Sequence, residues 1–207
     1  MDVDDNDLTG LAPYGNITRP FGDANATIAR VPEMDLEGFE IFIPTAAADS
    51  LKPKFAAAGV SAGGKDTWEI ARIESGRPQW GADMDDTTLP QEANFDELGA
   101  ISYTKGCYIG QETVARVKYR GHVNRALSGL VIEGERVPGE GAQVTVDGKE
   151  VGRVTSAVRS IALGRPIALG YLRREHFEPG AAVTVVDGAG EQPAHVAALP
   201  FVETPRV

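Results

Sequence analysis

Residues 143–158 read Gln143-Val144-Thr145-Val146-Asp147-Gly148-Lys149-Glu150-Val151-Gly152-Arg153-Val154-Thr155-Ser156-Ala157-Val158. β-Branched residues lie on both sides of Asp147-Gly148, a pair that tolerates the positive φ angles of a tight hairpin turn. The same grammar extends in both directions. Leu127 to Ile132, Gln143 to Val146, Val151 to Val158, Ile167 to Leu172, Ala182 to Val186 and His195 to Leu199 are six predicted strands, separated by Gly, Pro and Asp-Gly signals. Short strands at this spacing predict a small barrel or sandwich. A weak echo runs through the region. Pro138-Gly139 leads by Val144-Thr145-Val146 to Asp147-Gly148, and Pro179-Gly180 leads by Val183-Thr184-Val185 to Asp187-Gly188. Two hairpins using the same turn chemistry account for it.

Upstream the pattern is α+β. Asn25 to Val31 and Phe39 to Ile43 alternate as strands do. Thr45 is placed to cap a helix running through Leu51 towards Ala58, with Gly59 as its stop and Pro53 predicting a kink or a late start. Lys65 to Ser75 predicts a second helix, with Trp68, Ala71 and Ser75 sharing a face. Arg77 to Gly99 is rich in Pro, Gly and Asp and predicts a long irregular connection, with Asp83, Asp85 and Asp86 solvated. Gln111 to Tyr119 predicts a short helix ended by Gly121, with Val114 and Val117 on one side. A boundary near Asn124 then divides the chain into an α+β domain, 1–123, and an all-β domain, 124–207.

At 207 residues, 42% apolar and 24% charged, the composition is that of an ordinary globular protein. A single cysteine excludes an internal disulfide. No apolar run reaches the length of a membrane span, and the start, Met1-Asp2-Val3-Asp4-Asp5, lacks the regions of a signal peptide. These features together predict a cytosolic protein. The formal net charge of −10 argues against binding along a nucleic-acid backbone. The acidity is uneven: residues 81–104 hold six acids and no base. Immediately after them Lys105, Arg116, Lys118, Arg120 and Arg125 form a basic island with His122 beside it and only Glu112 opposing. Such an island suits one compact anion, or is a solvated helix face.

The lone cysteine opens that island, in Lys105-Gly106-Cys107-Tyr108-Ile109-Gly110-Gln111-Glu112. A thiol between glycine-flexible positions and near cations ionises more readily, and the thiolate is its reactive form. An inert packing thiol is the alternative. No His or Cys spacing points to a metal site, and one thiol cannot hold an iron–sulfur cluster alone. Nucleophile-elbow, P-loop and dinucleotide glycine motifs are missing.

Lys105 to Glu112, continued by Val114-Ala115-Arg116 and Arg120-Gly121, resembles the signature of the YgfZ family of folate-binding proteins, relatives of the glycine-cleavage T-protein (aminomethyltransferase). Glu37-Gly38-Phe39-Glu40-Ile41, Arg72-Ile73-Glu74-Ser75-Gly76 followed by Gly81 and Asp83, Gly152 to Ser156, Ala168 to Tyr171 and Pro200-Phe201-Val202 resemble further landmarks in the right order. T-proteins typically carry an acid and a phenylalanine where this chain has Cys107 and Tyr108, so the resemblance favours the YgfZ-like branch. It implies a ferredoxin-like α+β domain followed by a small C-terminal antiparallel β-barrel. It also implies a tetrahydrofolate-binding accessory protein for iron–sulfur cluster assembly or repair, serving iron–sulfur proteins such as tRNA-thiolation enzymes. The alternative is aminomethyltransferase-like one-carbon transfer to tetrahydrofolate; a bare interaction module is the third reading. The family carries a further N-terminal lobe ahead of the segment resembling Asn25 onward. The expectation is therefore a fragment, or a chain that has lost the lobe together with the acid that T-proteins take from it.

The resemblance assigns roles residue by residue. Cys107 is the reactive thiol and Lys105 orients or activates it. Glu40 is the leading folate contact, since a carboxylate can pair in a bidentate way with the amino group and ring N–H of a pterin. Arg72 is a second folate candidate, or else pairs with Glu74 or Asp83. Tyr108 and Gln111 hydrogen-bond around the site, and Arg116, with Lys118 and Arg120, attracts the folate tail, including a polyglutamate form, or an acidic partner. Trp68 either stacks on a pterin or, as the safer reading, packs in the core.

Overall fold

The computed structural model describes residues 8 and 10–202, and for Asp35 the backbone only. The start at Met1, on which the reading of the leader rests, lies outside them. The chain divides into two compact units, Met1–Thr67 with Thr204–Val207, and Trp68–Glu203. No helix among the described residues is long and apolar enough to cross a membrane.

The first unit is built on a three-stranded antiparallel sheet in the order β1 (Asn16–Phe21), β2 (Ala24–Arg30), β3 (Phe39–Phe42), followed by helix α1 (Thr45–Ala57). β2 and β3 occupy the positions expected from the alternation; β1 did not stand out, because Arg19 and Pro20 interrupt its pattern. Register pairs Ile17 with Ile28 and Ile28 with Ile41, which puts one apolar row on a single face of the sheet. α1 keeps Pro53 inside one continuous helix, and Pro44, not Thr45, stands at its N-cap. The ammonium of Lys54 lies 4.3 Å from the ring centroid of Phe21.

The second unit holds a closed six-stranded antiparallel barrel. Its strands are β4 (Arg125–Ile132), β5 (Gln143–Val146), β6 (Lys149–Arg159), β7 (Pro166–Arg173), β8 (Ala182–Asp187) and β9 (Gly190–Ala197), closing in the order β4-β7-β6-β5-β8-β9. Closure leaves no free strand edge to water. The architecture is thus α+β with an antiparallel barrel. Asp147 and Gly148 adopt φ of 50° and 75°, as the β5–β6 hairpin requires. The final strand begins earlier than the pattern suggested. Pro193 and the polar residues around it hid it, yet Pro193 loses nothing there and its carbonyl accepts a hydrogen bond from Glu133 N–H.

Leu130, Ile132, Val144, Val151, Val154, Leu172, Val183, Val185 and Val196 fill the barrel. A second cluster lies on its outside, where Leu127, Val131, Ile167 and Leu169 pack around Ile73 of α2 (Lys65–Glu74). β4 and β7 are therefore buried on both faces over most of their length, and apolar residues follow one another there without alternating with charged ones. The end of α2 is tied down by polar contacts as well. Glu74 Oε1 accepts from Ser160 Oγ (2.6 Å) and Ala162 N–H (3.1 Å), and the Glu74 carbonyl accepts from Phe201 N–H (2.8 Å).

The internal echo is structural, and it lies in the approach to the strands, not in the turns. Gly141 N–H donates to Val154 O and Val154 N–H to Ala142 O; Gly180 N–H donates to Val196 O and Val196 N–H to Ala181 O. The echoed strands β5 and β8 pair antiparallel with Thr145 opposite Thr184, which relates the two hairpins by a local two-fold axis. The turns differ in placement: Asp147-Gly148 form the two-residue loop between Val146 and Lys149, whereas in the other hairpin Gly188-Ala189 form it and Asp187, paired with Gly190, accepts from Ala189 N–H on Oδ1 at 2.9 Å.

Candidate functional site

In the second unit the cysteine motif is a short loop fastened at both ends. Lys105 N–H donates to Ser102 Oγ at 3.1 Å. Tyr108 N–H donates to Gln111 Oε1 (3.1 Å), and Gln111 N–H returns to the Tyr108 carbonyl (3.3 Å). This reciprocal pair fixes the start of α3 (Gln111–Arg120), whose N-cap, Gly110, has φ 86°. That angle favours glycine. Between the two fastenings Cys107 is exposed and unpaired. The Lys105 ammonium sits 5.2 Å from the Tyr108 ring centroid, so lysine and tyrosine flank the thiol as a cation–π pair. Ile109, next in sequence, is fully exposed at 104%. No group of three or more His, Cys, Asp or Glu among the described residues is placed to hold a metal ion.

α3 packs through Val114 and the inward side of its last turns. Gln91 Nε2 donates to Val114 O at 2.8 Å, Tyr103 and Tyr119 meet edge to face at 5.9 Å, and Lys118 reaches Asp96 at 3.3 Å. Tyr103 donates to Asp96 at 2.7 Å, and burial, followed by that hydrogen bond, raises its pKa. At the other end of the island Arg125 pairs with Glu92 at 3.1 Å. The basic island and the acid-rich segment before it thus neutralise each other in part. Arg116 and Arg120 are exposed and, among the described residues, without a partner.

The residue that shapes the long connection is Asp83. Its side chain is completely buried; of the three aspartates read as solvated, only Asp85 and Asp86 are exposed. Asp83 Oδ2 accepts from Arg72 Nη1 (2.7 Å) and Gln79 N–H (3.0 Å), and Oδ1 accepts from Ser156 Oγ (2.7 Å) and Thr155 Oγ1. Adjacent strand residues normally point to opposite faces. Here a register shift between Val154 and Ser156 lets both hydroxyls turn to one carboxylate. Arg72 spends its remaining donors on Glu69, Arg77 O and Ser156 Oγ. Of the pairings open to it from sequence, Arg72 takes Asp83; with every N–H engaged it has nothing left for a folate. Trp68, expected in the core, is 55% exposed.

Beside this network lies a cluster with no sequence signature. Arg125 stacks 4.8 Å from the ring centroid of Tyr171, whose hydroxyl is buried without a hydrogen-bond partner. Burial, with the nearby carboxylates Asp83, Glu92 and Asp85, pushes the Tyr171 pKa up to about 12 against the pull of Arg125.

In the first unit, Glu40 is exposed on β3 and its side chain makes no hydrogen bond or ion pair among the described residues. It shares a sheet face with Phe42, 57% exposed. Both acceptors of its carboxylate stay open among the described residues, whereas the donors of Arg72 are all engaged.

Comparison with known proteins gives these features a setting. Residues 125–203 match the glycine cleavage T-protein C-terminal barrel domain. An aminomethyltransferase of Streptomyces avermitilis is 35% identical over 205 residues, 95% of this chain and 55% of that protein. One from Picosynechococcus sp. is 33% identical over 201 residues, covering 96% and 54%. The crystal structure of glycine cleavage system aminomethyltransferase T from Bartonella henselae shares the fold, with a TM-score of 0.82 at 24% identity over 94% of this chain and 54% of that one. The chain spans about half the length of the relatives it matches. The barrel is of the glycine cleavage T-protein C-terminal type, and nearly the whole chain is similar to aminomethyltransferases.

Proposed function

We propose that the chain works in folate-dependent one-carbon chemistry of the aminomethyltransferase kind, contributing a pterin contact and a C-terminal barrel. This moves the weight from the iron–sulfur reading to its alternative. The observation that carries it is the similarity to aminomethyltransferases along 95% of the chain, together with an unoccupied carboxylate at Glu40. Glu40 would accept from the amino group and ring N–H of the pterin. When bound, tetrahydrofolate supplies the amine that accepts the carbon unit. Gln111 Oε1 is committed to the loop and Arg72 to Asp83, so neither is assigned to the pterin.

Calorimetric titration of tetrahydrofolate into the chain tests this. Glu40→Gln keeps one acceptor but replaces the other with a donor, and a hydrogen bond to a charged group is worth about 1.5–3 kcal/mol. The expected result is weakening of at least about tenfold. Unchanged affinity removes Glu40 from the site; no heat of binding with the parent chain ends the folate reading.

A second reading rests on Cys107. The loop delivers its thiol to solvent instead of packing it, as a transient bond to a partner's cysteine or persulfide in iron–sulfur cluster assembly would need. None of the relatives above carries that activity in its name. Cys107→Ala should abolish complementation of a strain lacking a YgfZ-type protein, with full rescue counting against the reading.

A further inference from the structure

Where the outer core cluster of the second unit reaches the surface, the described residues leave a cavity of about 370 Å³. It is lined by Val131 of β4, by Leu163 and Arg165 of the β6–β7 connection, and by Ala197, Ala198 and Phe201. That volume lies in the range that holds a small organic ligand. Five of the six lining side chains are apolar, and Arg165 is the one charge. Both walls hang from Glu74. Its Oε1 accepts from Ser160 Oγ and Ala162 N–H, and Ser160 Oγ in turn accepts from Leu163 N–H at 2.9 Å. On the other side Phe201 N–H donates to the Glu74 carbonyl, and the Phe201 ring covers Gly129, where a Cβ would meet it at 2.9 Å. Walls fixed in this way keep their spacing before anything binds, which lowers the ordering cost of binding.

The charge at the rim says what such a ligand carries. Arg165 is exposed, and its side chain makes no hydrogen bond or ion pair among the described residues. Its backbone is held, because the Arg165 carbonyl accepts from Ser160 N–H at 2.9 Å. Arg159, at the other foot of the connection, is already engaged by Glu135 and the Gly164 carbonyl. We propose that this cavity binds a small molecule with an apolar body and a single carboxylate. The body lies against Val131, Leu163 and Phe201, and the carboxylate pairs with the Arg165 guanidinium. A dianion would find only one cation among the lining residues, and a neutral molecule would leave that cation without a partner. The inference does not rest on the folate reading, since neither Glu40 nor Cys107 lines the cavity.

Phenylacetate and its neutral counterpart 2-phenylethanol, titrated into the isotope-labelled 207-residue chain, are the probes. Amide resonances of Val131, Leu163, Ala197 and Phe201 should shift and saturate with a Kd of about 1 mM or tighter for the acid. Arg165→Gln should weaken that binding about tenfold, and the alcohol should bind the parent chain about tenfold more weakly than the acid. Ala197→Leu, which fills the cavity, should abolish the shifts while the other barrel resonances keep their positions. Shifts that are absent, that spare the lining residues or that are unchanged by Arg165→Gln overturn the proposal. So does an alcohol bound as tightly as the acid. Binding seen only in a chain lacking residues 203–207 overturns it as well, by giving the cavity to the protein's own last residues.

Discussion

Asp83 and Arg72 show how one ion pair organises a segment without regular structure. Both side chains are out of water, and each of the carboxylate's oxygens accepts two hydrogen bonds. Removing one member of such a pair leaves the other charged, buried and uncompensated, which costs about 3–5 kcal/mol. Arg72→Met is therefore expected to lower unfolding free energy by that amount in chemical denaturation. Replacing Arg72 and Asp83 together by apolar residues should cost less than Arg72→Met alone. The sequence offered Asp83 as a partner for Arg72 but left it among solvated acids. Its burial depends on Thr155 and Ser156, seventy-odd positions away, and on a bulge that no alternation rule announces. The exposure of Cys107 and Glu40, by contrast, follows from loop and edge positions, which keep side chains in water whatever packs elsewhere.

At the level of elements, periodicity and turn chemistry located most of the described strands and the helices α1, α2 and α3, since these carry their own stop signals and, in α2 and α3, a pattern of apolar residues. β1 and the start of β9 escaped because Pro20 and Pro193 interrupt the pattern while remaining compatible with their places in the sheets. Trp68 was misplaced for a different reason: Arg72 and Ser75 on its face of α2 are buried, but only the C-terminal end of the helix packs, and Trp68 lies in the exposed first turn. The β6–β7 pair leaves no room for a side chain at two of its glycines. A Cβ added at Gly170 would meet the Arg153 carbonyl at 2.5 Å, and one at Gly152 would collide with the Tyr171 carbonyl. Both obstacles are backbone and cannot swing aside. Gly170→Ala should destabilise the second unit by about 1–3 kcal/mol, read from the denaturation midpoint, because the strands must separate to admit the methyl group.

For the molecule as a whole, the uneven charge in the sequence resolves into partial self-neutralisation, acids of 81–104 meeting bases of 105–125 through Asp96–Lys118 and Glu92–Arg125. Global stability should respond to alkaline pH through Tyr171. Its folded pKa, about 12, lies above the ordinary value near 10, so the unfolded chain loses the proton first. Stability is then full below pH 10 and falls as pH rises towards about 12. Tyr171→Phe should remove this tyrosine's share of that decline and leave neutral-pH stability equal or slightly higher, since the hydroxyl has no partner to lose. Denaturation midpoints measured across that range check both. The paired hairpins have a consequence of another kind. Ala142 and Ala181 receive the same backbone hydrogen bond in two places of one barrel. The protein thus carries its own replicate: any substitution made at one joint can be repeated at the other, and the difference between the two outcomes isolates what the neighbourhood, and not the joint, contributes.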